Sequence, residues 1–194
     1  HADSRDMAID AAGNLLEVDD GGVFRRTSPR SNAGAWTSMA GNLQVTEAHN
    51  VTYDTVSGII ITGNQDNGTS AQNSPGSPGY TAVSTGDGGD VAAAVNPANS
   101  SQSVRYSSYQ NLGSFRRRVM SSANTLVSQN FPALAPTGGA PAISGQFTTP
   151  VEINSKNGNR LLIGGSNGVF ESLDQGATVA QISTLAPADG LTSG

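Results

Sequence analysis

Short apolar runs alternate with Gly-, Asn- and Asp-containing turns along most of the chain. Residues 51–54 (Val-Thr-Tyr-Asp) lead through a Ser-Gly turn into residues 59–62 (Ile-Ile-Ile-Thr), and similar pairs of runs begin at Met7, Val91 and Val151. Apolar runs of this length between turn residues predict β-strands joined by hairpins. No window keeps helical spacing for long, and residues 121–129 are only a short helix candidate. The pattern therefore predicts an all-β protein.

The turn after the second strand of each unit recurs along the chain. Its glycines are Gly22, Gly68, Gly113 and Gly168, at intervals of about 45, 45 and 55 residues, and a period of roughly 40 to 50 residues is that of a four-stranded propeller blade. A Phe stands two residues after three of these glycines, at positions 24, 115 and 170. We therefore predict a β-propeller with about four blades, at roughly 1–42, 43–86, 87–145 and 146–190, with long loops at 71–79 and 132–145.

One of the turns contains a recognisable motif. Ser172, Asp174, Gly176 and Thr178 follow the pattern Ser-x-Asp-x-Gly-x-Thr, which resembles that of the Asp-box (BNR-repeat) propellers. This family includes sialidases, sortilin-type receptors and xyloglucan-cleaving endoglucanases, and the resemblance implies a propeller fold. The Asp-Gly-Gly turn at 20–22 and the Gln-Asp-Asn-Gly turn at 65–68 resemble turns of bacterial members. In an Asp-box the Ser and Asp side chains accept backbone N–H groups, so its role is structural.

Composition and charge limit the classes of function that the chain can have. The formal net charge is −5 and the isoelectric point is about 4.8, so nothing attracts the chain to nucleic acid. The only basic run is Arg116, Arg117 and Arg118. These side chains would alternate between the two faces of a strand, so they would not form a continuous basic groove for nucleic acid. No run approaches the roughly 18 apolar residues of a membrane helix. A single Lys beside nine Arg is a bias of secreted bacterial proteins, and we expect a secreted or cell-surface protein. The sequence has no Cys, which excludes disulfides and thiolate metal sites.

The turns between second and third strands of propeller blades share one face with the crossovers between blades. This face is predicted to bind a ligand through polar side chains that converge there: Glu47, His49, Gln65, Asp66, Asp87 and Asp90. Each also has a simpler interpretation. Asn67-Gly68 and Asp87-Gly88 are strong turn pairs, and His49 beside an apolar strand is typical of a hydrogen-bonded packing residue.

Three functions fit this acidic face. Asp87 paired with Asp19 or Asp66 would serve as acid and base in a glycoside hydrolase, which needs two carboxylates. Asp19 and Asp87 also match, over two or three residues each, the positions of the acids in xyloglucan-cleaving endoglucanases. Alternatively, Asp87 and Asp90 would contribute oxygen ligands to Ca²⁺.

The interpretation that we favour is a non-catalytic module that binds a glycan or a protein partner. Uncovered blades at the two ends of the array would expose sheet edges and faces. We therefore also expect another chain, or a further segment of a larger ring, to complete the propeller.

Overall fold

The computed structural model describes residues 3–19, 21–42 and 46–184, and the chain divides into two compact units, 1–47 and 48–194. Throughout the described residues the chain forms β-strands, and its helical structure is limited to the 3-10 turn Gln110–Leu112. The predicted all-β class is therefore confirmed. The helix candidate at 121–129 is wrong, because a tight turn at residues 122–125 reverses the chain and leads into a strand.

The first unit is one antiparallel sheet, which we call sheet 1. It consists of β1 (Asp6–Ile9), β2 (Leu15–Asp19), β3 (Gly22–Arg26) and β4 (Trp36–Ser38), in chain order. The β1–β2 turn is closed by Asp10, whose Oδ1 accepts the N–H groups of Ala12 and Asn14. Met7 and Ile9 are 56% and 63% exposed, and none of the apolar side chains described in this unit is buried.

The second unit contains three sheets, of which the first two have four strands each. Sheet 2 comprises β5 (Ala48–Asp54), β6 (Ile59–Asn64), β7 (Gly68–Gln72) and β8 (Tyr80–Ala82). Sheet 3 comprises β9 (Gly88–Asn96), β10 (Asn99–Tyr109), β11 (Arg116–Ser121) and β12 (Leu126–Asn130). In both sheets the strands are antiparallel and follow chain order.

Sheet 4 is a meander of four antiparallel strands with a fifth strand added at its outer edge. The strands are β13 (Ala135–Pro136), β14 (Val151–Ile153), β15 (Leu161–Gly165), β16 (Gly168–Ser172) and β17 (Thr178–Ser183), in the spatial order β13-β17-β16-β15-β14. The segment β13 pairs in parallel with β17, and backbone N–H groups from Leu134 to Thr137 bond to carbonyls from Gly176 to Val179. Part of the long loop 132–145 therefore covers the edge of this sheet.

The third hairpin differs from the others. Gly22, Gly68 and Gly168 have positive φ, as tight hairpin turns require, whereas Gly113 has φ −63°. In that turn Asn111, Leu112 and Ser114 take the left-handed conformation instead. The chain therefore makes a longer connection from β10 to β11, and Gly113 is not equivalent to the other three glycines.

Sheet 3 lies between sheets 2 and 4, and its residues alternate between them. Ala92, Val104 and Tyr106 face sheet 4, where they join Leu161, Ile163 and Phe170 in the larger core cluster. Val91 faces the other way and packs with Ile59 and Ile61. Phe115 stacks on Tyr106 with ring centroids 5.6 Å apart and joins the same cluster as Phe170. The period-two alternation of strands thus gives sheet 3 two buried faces.

A buried ion pair also connects sheets 2 and 3. Asp54 at the end of β5 accepts hydrogen bonds from the Ser103 hydroxyl and from Nε of Arg105 in β10, and the carboxylate and guanidinium groups approach to 2.7 Å. The sequence pattern places Asp54 at the end of the run 51–54, directly before a turn. The turn is present, since Val56 N–H bonds to Asp54 Oδ1, but the same carboxylate also binds the neighbouring sheet.

Candidate functional site

Loops at one end of sheets 2 and 3 bring together four of the predicted site residues. His49 lies near the start of β5, Gln65 and Asp66 form the β6–β7 turn, and Asp87 directly precedes β9. We call these four residues the loop cluster. Asp66 is exposed, and the other three are half-buried, so their polar groups lie at the surface.

Gln65 is the centre of the loop cluster. Its Nε2 donates to Asp87 Oδ1 at 2.6 Å and reaches Asp66 Oδ1 at 3.3 Å. The backbone N–H of Asp66 also donates to Asp87 Oδ1, at 3.0 Å. On its other side, Gln65 Oε1 lies 2.9 Å from His49 Nε2. One amide therefore connects a carboxylate to an imidazole in a continuous chain of hydrogen bonds.

The imidazole of His49 is held at both of its nitrogens. Nδ1 lies 3.0 Å from the Gly88 carbonyl oxygen, while Nε2 faces the Gln65 carbonyl oxygen. The Thr148 hydroxyl oxygen is a further neighbour, 3.5 Å from Nδ1, so both ring nitrogens contact polar protein atoms. The ring of Phe147 meets His49 edge to face, with centroids 6.0 Å apart and planes inclined by 67°. Phe147 remains 51% exposed, which leaves an apolar surface beside the hydrogen-bonded side chains of the loop cluster.

Glycines let the turn and the crossover lie side by side. Gly68 N–H donates to the Gly86 carbonyl at 2.6 Å, and a Cβ at Gly68 would overlap backbone atoms of Ser84. A Cβ at Gly88 would likewise overlap the backbone of Asn64 and Gly68. Asp66 takes a left-handed conformation with φ 56°. The Gly- and Asn-rich sequences at 65–68 and 86–89 thus build the close contact that aligns Gln65 with Asp87.

Asp90 lies outside the loop cluster. It is buried between sheets 3 and 4, where Oδ1 accepts the N–H of Val91 at 2.9 Å and Oδ2 accepts that of Val151 at 2.7 Å. Burial raises the pKa of Asp90, and the two backbone N–H groups only partly oppose this effect. Asp90 thus ties β9 to β14 and does not present its carboxylate on the loop side.

The other predicted site residues belong to the first unit. Asp19 is buried and accepts the Gly21 N–H at 2.7 Å, as an Asp in a tight turn does. Glu47 is exposed at the end of that unit. A role for either carboxylate in catalysis or binding stays a prediction.

The described residues hold no group of three or more His, Asp or Glu side chains placed to bind a metal ion. Calcium binding through Asp87 and Asp90 stays a prediction, and the two carboxylates point to different partners. Within the same part of the chain, no helix has the length and apolar character needed to cross a membrane.

The Asp-box turn is closed by its own side chains. Ser172 Oγ accepts the Gly176 N–H at 2.8 Å, and Asp174 Oδ1 accepts the Thr178 N–H at 2.9 Å. Ser172 also donates to Asp174 Oδ1, and the Thr178 hydroxyl donates to Asp174 Oδ2. Although burial raises the pKa of Asp174, these hydrogen bonds together hold it below its ordinary value. All the polar groups of this motif are used to fold the β16–β17 connection.

The sequence pattern did not single out two residues that matter in the structure, Phe147 beside the loop cluster and Arg105 in the ion pair with Asp54. Phe147 is in the crossover before β14, where no strand pattern marks it. Arg105 stands between Val104 and Tyr106 in an apolar run. A charged side chain in the middle of a strand buried on both faces is itself a signal, because burying it requires a partner.

No protein-family model matches this chain, and no curated protein matches it either. Among solved structures, the GH74 enzyme of Niastella koreensis aligns with 92% of this chain at 15% identity and a TM-score of 0.50. An ancestral GH74 enzyme aligns at 17% identity with a TM-score of 0.43, over 96% of this chain. A gluconolactonase from Xanthomonas campestris aligns at 13% identity with a TM-score of 0.45, over 93% of this chain.

The chain spans 25% of the length of each GH74 enzyme and 62% of that of the gluconolactonase. At these identities the likeness shows the fold alone, and the Niastella koreensis structure carries it. Membership of the Asp-box family stays a prediction. With its consecutive four-stranded antiparallel sheets, the chain has a β-propeller fold.

Proposed function

We propose that this chain is a non-catalytic binding module of a secreted or cell-surface protein, and that its loop cluster binds a glycan. The observation that carries the proposal is the chain of hydrogen bonds from Asp87 through Gln65 to His49, beside the exposed ring of Phe147. A protein partner is the other class of ligand that such a face could bind.

The polar groups of the loop cluster suit the hydroxyl groups of a sugar. A carboxylate accepts several hydrogen bonds, so Asp87 can accept from a sugar hydroxyl in addition to its contacts with Gln65 and the Asp66 N–H. The side chains of Gln65 and His49 are fixed by their mutual contact, so little conformational entropy is lost when a ligand binds. Convergent polar groups that fix orientation beside an apolar surface are typical of small-ligand sites.

Phe147 supplies the apolar surface. Its ring is 51% exposed, although its edge is fixed against His49. The C–H face of a sugar ring can cover this surface and remove it from water, which contributes favourable free energy. The combination of an exposed aromatic ring with acceptor side chains favours a glycan over a highly charged protein surface.

A glycoside hydrolase is the second candidate, because Asp66 and Asp87 both contact the same amide nitrogen of Gln65. The nearest oxygens of the two carboxylates are therefore closer than the roughly 6.5–9.5 Å separation of inverting enzymes. A retaining enzyme uses carboxylates about 5–5.5 Å apart, but it needs the scissile bond between them. Gln65 occupies that space here, and this favours binding over catalysis.

Glycan binding by the loop cluster can be tested with the variant Asp87→Ala. Immobilised plant and bacterial polysaccharides would be screened with the wild-type chain, and the strongest ligand titrated by calorimetry. We expect Asp87→Ala to weaken binding at least about tenfold, because Gln65 loses the acceptor that orients it. Glu152→Gln, an exposed acid on sheet 4, is the control and should bind as the wild type does.

The same samples separate binding from hydrolysis. We expect no release of reducing ends from any polysaccharide that binds. Release that Asp87→Ala abolishes would instead establish the hydrolase. Unchanged glycan binding by Asp87→Ala, or retention of protein ligands only, would contradict the glycan proposal.

We also propose that further blades, from another chain or another segment, complete the ring. Val51 and Tyr53 on β5 are 63% and 57% exposed, and Ile182 on β17 is 52% exposed. Sheets 2 and 4 thus each present apolar side chains that a neighbouring blade would cover. None of the apolar side chains described in the first unit is buried, which has the same consequence, since a lone four-stranded sheet buries little surface.

A further inference from the structure

A cavity of about 240 Å³ lies between sheets 2 and 3, away from the loop cluster. Its walls come from the outer strands of sheet 2 and from β10, β11 and the β11–β12 turn of sheet 3. The residues that the argument uses are Arg105, Arg118 and Asn124. The cavity shares no residue with the loop cluster, so it is a separate candidate site.

Two arginines face the same side of sheet 3 next to each other. Arg105 on β10 is the direct cross-strand partner of Arg118 on β11, and both line the cavity. Directly opposed like charges in a sheet repel and are destabilising. Arg116 lies two residues before Arg118, on the same face. Burial lowers the pKa of Arg118, and the charges of Arg105 and Arg116 lower it further.

The positive charge at this cavity exceeds the negative charge. Asp54 forms an ion pair with Arg105. Among the residues that the structure describes, the guanidinium of Arg118 forms no ion pair and donates no hydrogen bond. Arg116 donates one hydrogen bond, to the Val83 carbonyl at 2.8 Å. One carboxylate therefore faces three guanidinium groups, and an anion would balance the remaining charge.

Several polar atoms around the cavity lack partners. Arg105 is 5% exposed, yet its Nη1 has no hydrogen bond, and neither has Nε of Arg118. Asn124 uses its Nδ2 on the carbonyls of Gln72 and Asn73, whereas its Oδ1 is buried without a partner. Buried polar groups are nearly always satisfied. Arg105 Nη1 and Arg118 Nε therefore lack hydrogen-bond acceptors, and Asn124 Oδ1 lacks a donor.

We propose that this cavity binds a small hydroxylated carboxylate, such as a sugar acid, through Arg105 and Arg118, with a ligand hydroxyl donating to Asn124 Oδ1. Guanidinium groups present fixed N–H donors that match the geometry of a carboxylate. The cavity volume lies below the roughly 300–1,000 Å³ of sites for drug-sized ligands and equals that of about eight water molecules. A single sugar ring fits this size class better than an oligosaccharide does.

Three matched probes test each part of the proposal. Glucuronate has the carboxylate and the hydroxyl groups, glucose lacks the carboxylate, and cyclohexanecarboxylate lacks the hydroxyl groups. Each would be titrated into the whole chain, with binding followed by calorimetry and by the shift in melting temperature. We expect glucuronate to bind most tightly, cyclohexanecarboxylate more weakly, and glucose not at all at the same concentrations.

Variants then assign the contacts. Arg118→Gln should weaken glucuronate binding at least about tenfold, since a charge-assisted hydrogen bond is lost. Without ligand it should raise the melting temperature, because the opposed charges are removed. Arg117→Gln is the control, because the Arg117 side chain faces sheet 4 and donates to Asn130 and Gln175. Asn124→Gly keeps the left-handed backbone of φ 59° and should remove the advantage of glucuronate over cyclohexanecarboxylate.

Other outcomes overturn the proposal. These are no binding of glucuronate, equal binding of glucose, equal binding of cyclohexanecarboxylate, or wild-type affinity in Arg118→Gln. None of these outcomes depends on glycan binding by the loop cluster, since Asp87→Ala should leave glucuronate binding in the cavity unchanged.

Discussion

At the scale of single residues, the position of Asp54 shows how one side chain fulfils a local and a tertiary role. Its carboxylate accepts the N–H groups of Val56 and Ser57 in the turn after β5. It also binds Ser103 and Arg105 on the next sheet. The turn role can be predicted from the sequence, because Asp is favoured there. The ion pair cannot, because its partner lies 51 positions away.

We expect Asp54→Asn to destabilise the chain by about 3–5 kcal/mol, because it leaves the buried guanidinium of Arg105 without a counter-charge. Urea denaturation followed by circular dichroism measures the change in the free energy of unfolding. Asp10→Asn is the matched control, since Asp10 closes the equivalent turn of the first unit without a buried ion pair. Equal losses in the two variants would mean that the ion pair contributes nothing beyond the turn.

The pH dependence of stability should contain a contribution from Asp54. Burial raises the pKa of Asp54, but the hydrogen bonds from Ser103 and Arg105 and the charge of Arg105 outweigh it, so its pKa is lowered. Its stabilisation is therefore present above the unfolded-chain pKa of about 3.9 and is lost as the pH falls through the lower folded value. The difference in melting temperature between wild type and Asp54→Asn should thus shrink below about pH 4. A constant difference down to pH 2 would contradict this assignment.

At the scale of elements, glycine decides how closely strands of neighbouring sheets approach. Gly63 in β6 has ordinary backbone angles, yet a Cβ there would overlap the Gly89 carbonyl oxygen of β9. Gly164 has a similar place near the end of β15, but a Cβ there would make ordinary contacts of 3.5 Å with Pro150. Both positions look alike in the sequence, as glycines that end an apolar run before a hairpin. Only the packing of the sheets distinguishes them.

We expect Gly63→Ala to destabilise the chain by about 1–3 kcal/mol, because the methyl group overpacks the contact between β6 and β9. The same change should disturb the loop cluster, since Asp87 precedes β9. Chemical denaturation and the NMR shifts of the His49 ring measure the two effects. Gly164→Ala should change neither quantity by much, and a comparable loss in both variants would point to glycine flexibility as the cause.

At the scale of the whole molecule, the exposed apolar faces of sheets 2 and 4 and of the first unit determine how the chain behaves in solution. Val51 and Tyr53 are exposed to water on β5. This face of sheet 2 therefore lacks the burial of apolar surface that stabilises β-sheets. Patches of this kind are typical of interaction surfaces.

We expect the isolated chain to self-associate at micromolar concentrations, and Val51→Lys to shift it towards the monomer, because a charge on this face opposes burial against a partner. Light scattering coupled to size-exclusion chromatography measures the mass. Leu173→Lys is the control, since Leu173 is 65% exposed on a turn. A monodisperse monomer of the wild-type chain would contradict the need for further blades.

The sequence by itself determined the class of fold and most of the strands, because alternation, turn residues and the repeat of about 45 residues are local properties of the chain. It also identified Gln65, Asp66, Asp87 and His49 as neighbours, since equivalent loops of successive blades share one face. It overestimated the equivalence of the blades, however, because Gly113 and the loop 132–145 adopt conformations of their own.

Only the tertiary structure decided which polar side chains meet each other. In the folded chain the Asp90 carboxylate is buried between sheets 3 and 4, and Asp54 forms an ion pair with Arg105. Arg118 lies opposite Arg105 beside a cavity. The physical reason is that partners of buried charges are chosen by the packing of whole sheets across tens of residues of sequence. A repeat pattern specifies where a strand lies, but the contacts on its two faces depend on which sheets cover them.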